Sequence, residues 1–115
     1  QQRDWLYVVE HARALWLMLT QAAPNQCYVV AAGHPITNLE LLQALYVEVQ
    51  KQLGRPVSEV PIEFVTDRLG HDRCYSLDAS KIKRELGWQE QTLLQDGLAA
   101  TVYQALNTPL LIAEK

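Results

Sequence analysis

The sequence is poor in the features that usually announce a chemistry. Its 115 residues include only two cysteines, Cys27 and Cys74, which are far apart and lack CxxC spacing. That excludes a cysteine-built metal site or a disulfide scaffold. With no export signal, both are read as free thiols in a reducing cytoplasm. Glycine is sparse, at Gly33, Gly54, Gly70, Gly87 and Gly97, and this spacing excludes a dinucleotide-binding fingerprint. No apolar run approaches the roughly 18–20 residues of a membrane span. Cationic charge is also short: ten Lys and Arg face 13 Asp and Glu, a net charge of -3. This excludes a surface built mainly to grip a nucleic-acid backbone. Only Arg68, Arg73, Lys81, Lys83 and Arg84 gather locally, which leaves a small anion open as a ligand.

What is present is ordinary for a globular protein, with 49% apolar and 20% charged residues. The length suits one domain spanning residues 1–115. The runs WLYVV (Trp5 to Val9) and CYVVA (Cys27 to Ala31) read as buried strands, and Pro61 to Val65 as a third. Glu10 to Thr20 reads as a helix with Ala12, Leu15 and Leu19 on its core stripe. Thr37-Asn38-Leu39-Glu40 is a capping box opening a helix with Leu42, Leu45, Val49 and Leu53 at core spacing, stopped by Gly54 and Pro56. Asp78 is read as the cap of a helix through Ile82 and Leu86 that ends at Gly87. Thr92 to Gln95 reads as a second capping box, and the stripe Leu94, Leu98, Val102 and Leu106 follows it towards Pro109. The expected fold class is therefore α/β (an α+β lobe), with about three short strands and four helices.

One segment does not fit a core. DRLGHDRCYSLD, Asp67 to Asp78, crowds polar groups around Gly70 with no helical or strand period. Such a loop is either solvated or a ligand clamp.

RDWLYVVEHARAL (Arg3 to Leu15), TNLELL (Thr37 to Leu42), the DRLGHDRCYSLD loop and KIKRELGW (Lys81 to Trp88) together resemble the dTDP-glucose 4,6-dehydratases of the extended short-chain dehydrogenase/reductase superfamily. RELGW alone occurs across many nucleotide-sugar epimerases and dehydratases. The pairing of R-D-W with D-R-x-G-H-D-R is more specific. The likeness covers essentially the whole chain, but only the C-terminal portion of such an enzyme, mostly its substrate-binding lobe. The resemblance implies that NAD and a Tyr-x-x-x-Lys pair belong to the other, N-terminal domain. Here the residues four places after Tyr7, Tyr28, Tyr46, Tyr75 and Tyr103 are His11, Ala32, Gln50, Ala79 and Asn107, and none is lysine. The chain is therefore expected to hold no cofactor and to catalyse no dehydration by itself.

Carried over by match, the nucleotide-diphosphate contacts are Arg3, Asn38, Arg68, Gly70, His71 and Asp72. An arginine fork suits phosphate oxygens, a helix start attracts an anion, and glycine lets backbone approach a ligand. Each has a plainer reading too: Asn38 as a helix-start residue, Arg3 as a partner of Asp4, His71 as a surface histidine. Trp5, Trp16 and Trp88 are read as core or lobe-packing residues, and Glu10, Arg13 and Glu40 as helix-surface and cap residues. Several positions depart from the family pattern. Val9-Glu10 keeps one acid of a usual pair, Val30-Ala31-Ala32-Gly33 stands in place of a usual N-I-G-G, and Leu69 and Cys74 replace a usual proline and arginine. Loss of that proline frees the loop and raises the ordering cost of binding.

Three functions compete on this reading. The first is a free-standing substrate lobe with weak or no binding of a dTDP- or UDP-linked sugar. The second is a structural module whose bared apolar surface makes a homo-oligomer, most simply a dimer. The third is an excerpt or split subunit that works with a separate NAD-binding domain. Gln1-Gln2-Arg3 begins at the family motif without an initiator methionine, which favours an excerpt or a truncated gene. Neither a membrane nor a nucleic acid is expected as partner.

Overall fold

In the computed structural model, which describes residues 1–108, four helices surround a minimal two-stranded sheet. Strand β1 (Gln2–Arg3) leads to helix α1 (Val8–Gln21); β2 (Ile36–Thr37) leads directly into α2 (Asn38–Gln52). A long extended passage then precedes α3 (Ser80–Leu86) and α4 (Leu94–Asn107). Pro109 lies outside the described residues.

The capping box on α2 forms as the sequence predicts. Thr37 Oγ1 accepts the Glu40 amide at 3.1 Å, and the Glu40 carboxylate accepts the Thr37 amide at 2.7 Å. These bonds hold the Glu40 carboxyl below its ordinary pKa. Asp78 Oδ1 accepts the Ser80 amide at 2.9 Å, and Gly87 closes α3 in the left-handed region at φ 67°.

The expected strands are not built. Tyr7 is the N-cap of α1, so Val8 and Val9 of WLYVV enter the helix. Cys27 to Ala31 and Pro61 to Val65 carry no regular secondary structure and pair with no ladder. A strand needs a neighbouring backbone to satisfy its amides and carbonyls, and the described residues offer these segments none. The second capping box is also absent: the Thr92 hydroxyl donates to Glu10 Oε1 at 2.8 Å instead, and α4 starts without a side-chain cap.

The core gathers Ala14, Ala31, Ala79, Ile82 and Trp88, with Leu6, Leu17, Met18, Tyr28, Val30 and Leu86 packed against it. α1 thus turns Glu10, Ala14, Leu17 and Met18 inward, and the predicted stripe of Ala12, Leu15 and Leu19 faces solvent, Leu19 being 79% exposed. Trp88 is buried as expected, but Trp5 is half-exposed and Trp16 is 65% exposed. Glu10 is no surface residue: it is 1% exposed and takes bonds from Thr92 and Arg13. Leu98 and Val102 face inward on α4 as predicted. Gln52 joins α2 to α4 by donating to the Ala99 carbonyl at 2.8 Å.

Gly97 sits where the start of α1 meets α4. A methyl group there would lie 2.8 Å from Tyr7 Cβ, next to the backbone and unable to swing away. Gly97→Ala gains up to about 1 kcal/mol of helix propensity but incurs roughly 1–3 kcal/mol of overpacking. The expected result is a lower melting temperature by several degrees, read by circular dichroism. An unchanged or higher value would show that the α1–α4 contact yields freely.

Candidate functional site

β1 organises the site because it is bonded on both edges. It pairs antiparallel with β2, Gln2 opposite Thr37 and Arg3 opposite Ile36. On its other edge the Gln2 amide donates to the Arg73 carbonyl at 2.6 Å, and the Tyr75 amide donates to the Gln2 carbonyl at 3.2 Å. Two further segments of the chain, the α2 start and the polar loop, are thereby clasped to residues 1–3. The Asn38 amide donates to the Gln1 carbonyl at 2.9 Å.

The side chains continue this arrangement. Arg3 lies over the Tyr75 ring, its guanidinium carbon 4.3 Å from the centroid. Its Nη1 donates to the Gln2 carbonyl at 2.7 Å; Nη2 reaches His71 Nε2 at 3.1 Å and the Asp72 carbonyl at 3.2 Å. Arg3 does not pair with Asp4, whose carboxylate accepts the Gly33 and His34 amides. Asn38 Nδ2 donates to Gln1 Oε1 at 3.2 Å. Gly70 makes the loop turn in the left-handed region, at φ 74°. His71, only partly exposed, is no ordinary surface histidine: its Nδ1 lies 2.8 Å from Asp67 Oδ1. Arg68 stands exposed, and its positive charge is felt at Tyr75.

Acid–base properties follow from these contacts. The His71 hydrogen bond, helped by Gln1 and the Arg68 amide, holds the Asp67 carboxyl below its usual range against a modest burial effect. The Tyr75 hydroxyl donates to Asp72 Oδ2 at 2.6 Å, and that bond together with the Asp72 charge raises the phenol pKa. Arg3 and Arg68 oppose the rise. Asp67 and Asp72 are thus each engaged by protein donors.

A groove of about 930 Å³ opens beside β1, lined in part by Gln1, Thr37, Asn38, Ile62, Phe64 and His71. Of the predicted residues, Asn38 and His71 line it; Arg3, Arg68, Gly70 and Asp72 stand outside its wall. The sequence thus locates the residues that cluster but not the groove, whose apolar wall comes from the presumed third strand. Gln1, Asp67 and Tyr75 are contributors absent from the predicted set. Tyr75 and Asp67 lie within the polar loop already singled out, whereas Gln1 carries no sequence signal. No trio of metal-ligating side chains forms among the described residues, and no helix among them is long and apolar enough to cross a membrane.

Known proteins are similar to this chain in fold and in sequence. The DesIV dTDP-glucose 4,6-dehydratase of Streptomyces venezuelae, solved with NAD and TYD bound, superposes with a TM-score of 0.74 at 38% identity, covering 93% of this chain and 32% of that one. The dTDP-glucose 4,6-dehydratase of Bacillus anthracis str. Ames, solved with NAD, gives 0.72 at 30% identity, covering 92% of this chain and 31% of that one. By sequence, the chain is 37% identical over 112 residues to the dTDP-glucose 4,6-dehydratase of Escherichia coli, covering 93% of this chain and 31% of that protein. It is 46% identical over 100 residues to that of an Actinoplanes species, covering 87% of this chain and 29% of that protein. The chain therefore spans about three-tenths of the length of these relatives. Residues 1–101 match the profile of the family described as GDP-mannose 4,6 dehydratase, and the chain belongs to that family.

Proposed function

We propose that this chain is the C-terminal, substrate-binding portion of a dTDP-glucose 4,6-dehydratase-like protein. In this reading it holds the diphosphate of a dTDP- or UDP-linked sugar, while NAD and the catalytic pair belong to a nucleotide-binding portion outside these 115 residues. The observation that carries the reading is the convergence of Arg3, Asn38 and the Asp67–Tyr75 loop on β1, from three separate places in the sequence. The Arg3 guanidinium held on β1 suits a diphosphate, and a neighbouring groove walled by Ile62 and Phe64 suits a flat nucleobase. That a related dehydratase was solved with TYD bound supports the ligand class. Without the remaining two-thirds of a family-length protein, binding is expected to be weak and unaccompanied by turnover. Titration of the labelled chain with dTDP tests the assignment.

A second reading rests on surface. The radius of gyration is 17.3 Å, against about 13 Å for a compact domain of this length. The accessible surface is 9079 Å², against roughly 6,400 Å² for a compact monomer of this mass. Val8, Leu15, Trp16 and Leu19 make one exposed apolar face of α1. In the first reading this face packs on the nucleotide-binding portion. Lacking that cover, the isolated chain is expected to self-associate, a two-fold dimer being the simplest closed form. Sedimentation equilibrium at tens of micromolar measures it, and a clean 13.1 kDa monomer would contradict the prediction.

A further inference from the structure

We propose that Asp67 is a positioning residue that fixes the His71 ring in one tautomer and, through it, aims the Arg3 guanidinium. The consequence for ligand binding rests on the diphosphate reading of the site; the geometry does not.

The imidazole stands between two charges of opposite sign. Asp67 Oδ1 lies 2.8 Å from Nδ1, and Arg3 Nη2 lies 3.1 Å from Nε2. A carboxylate can only accept and a guanidinium can only donate. The single arrangement that satisfies both has the proton on Nδ1, donated to Asp67, and a bare Nε2 accepting from Arg3. The opposite tautomer would set a lone pair against the carboxylate and an N–H against the guanidinium. Gln1 does not set the tautomer: its donor-only Nε2 lies 2.5 Å from Nδ1 and donates to Asp67 Oδ2 at 2.7 Å, so beside a protonated Nδ1 only the carboxylate can accept from it.

The remaining charged groups do not disturb this pairing. The Asp72 carboxylate is turned to the Tyr75 hydroxyl, and only its main-chain carbonyl meets Arg3. The exposed Arg68 follows Asp67, its amide bonded to Asp67 Oδ1 at 2.8 Å. The depressed carboxyl of Asp67 agrees with its being a committed acceptor.

Long-range proton–nitrogen NMR of the ligand-free, ¹⁵N-labelled chain decides the matter, with His71 assigned by comparison with His71→Asn. The expected spectrum shows His71 protonated at Nδ1, together with an ordered Arg3 Nε–H resonance. In Asp67→Ala the proton should redistribute to Nε2 and the Arg3 resonance should broaden. Asp67→Asn, whose side-chain oxygen still accepts, should restore both. Asp67 is mostly exposed, so neither substitution threatens the fold. An Nε2–H form in the unaltered chain, or an Arg3 resonance indifferent to Asp67→Ala, would overturn the inference whether or not dTDP binds. Where dTDP does bind, Asp67→Ala should weaken it roughly tenfold, the scale of one hydrogen bond to a charged group. Absence of dTDP binding alongside the expected tautomer would count against the diphosphate reading only.

Discussion

Replacing Trp88 with alanine should remove about 3–5 kcal/mol of stability, a large share of the roughly 5–15 kcal/mol that a folded domain holds. Trp88 is 1% exposed and lies at the centre of the cluster formed with Ala14, Ala31, Ala79 and Ile82. The small residues around it cannot close over the void, so most of the cavity would persist. Its indole Nε1 also donates to the Glu10 carbonyl at 3.1 Å, tying the α3 exit to the first turn of α1. Trp88→Phe keeps most of the apolar volume and loses this bond, so a smaller loss of roughly 1–3 kcal/mol is expected. Urea unfolding followed by circular dichroism reads both variants. A loss below about 1 kcal/mol for the alanine variant would show that the α1–α3 core does not carry the fold.

Glu10→Ala is expected to cost about 2–3 kcal/mol, second only to the loss of Trp88. The Glu10 carboxylate is buried, accepts from Thr92 and from Arg13, and takes the Gln91 and Thr92 amides as well. Removing it strands these donors, although Arg13 can partly regain water. Burial pushes the Glu10 carboxyl up, but the Thr92 and Gln91 bonds together with the Arg13 charge outweigh burial and hold it below its usual value. A carboxyl depressed on folding stabilises fully above its unfolded pKa and loses that contribution as pH falls through the folded pKa. Stability of the unaltered chain should therefore decline below about pH 4.5, and Glu10→Ala should flatten that part of the profile. Equal acid sensitivity in both would mean that other carboxyls govern it.

The parts of this structure that were legible in the sequence are those set by local chemistry. The Thr37–Glu40 box, the Gly87 cap and the inward Leu98 and Val102 depend on residues within a few positions of each other, and they formed as read. The failures depend on what lies across the fold. Ala12, Leu15 and Leu19 make a proper helical stripe, yet the packing that buries α1 uses Glu10, Ala14, Leu17 and Met18. A carboxylate as the hub of the buried face is not signalled by hydrophobic period. CYVVA has a strand's composition but no neighbouring strand to pair with. Thr92 had the spacing of a capping residue and was drawn away by Glu10, which is remote in sequence. At the site, the structure brings Arg3, Asn38 and His71, which the family motif named, to β1 and its flanks, while the part played by Gln1 emerges only when β1 is paired.

The assignment of this chain as a diphosphate-holding lobe is tested most directly by an amide-resolved NMR titration with dTDP, using thymidine as the control. Ligand contact should shift the resonances of Arg68 to Asp72, Arg3 and Asn38 progressively, while the exposed α1 face around Leu19 stays still. Thymidine, lacking the diphosphate, should leave the Arg3 and Arg68 to Asp72 signals nearly unmoved. Absence of any shift in that loop at millimolar dTDP, or equal shifts from thymidine, would contradict the assignment.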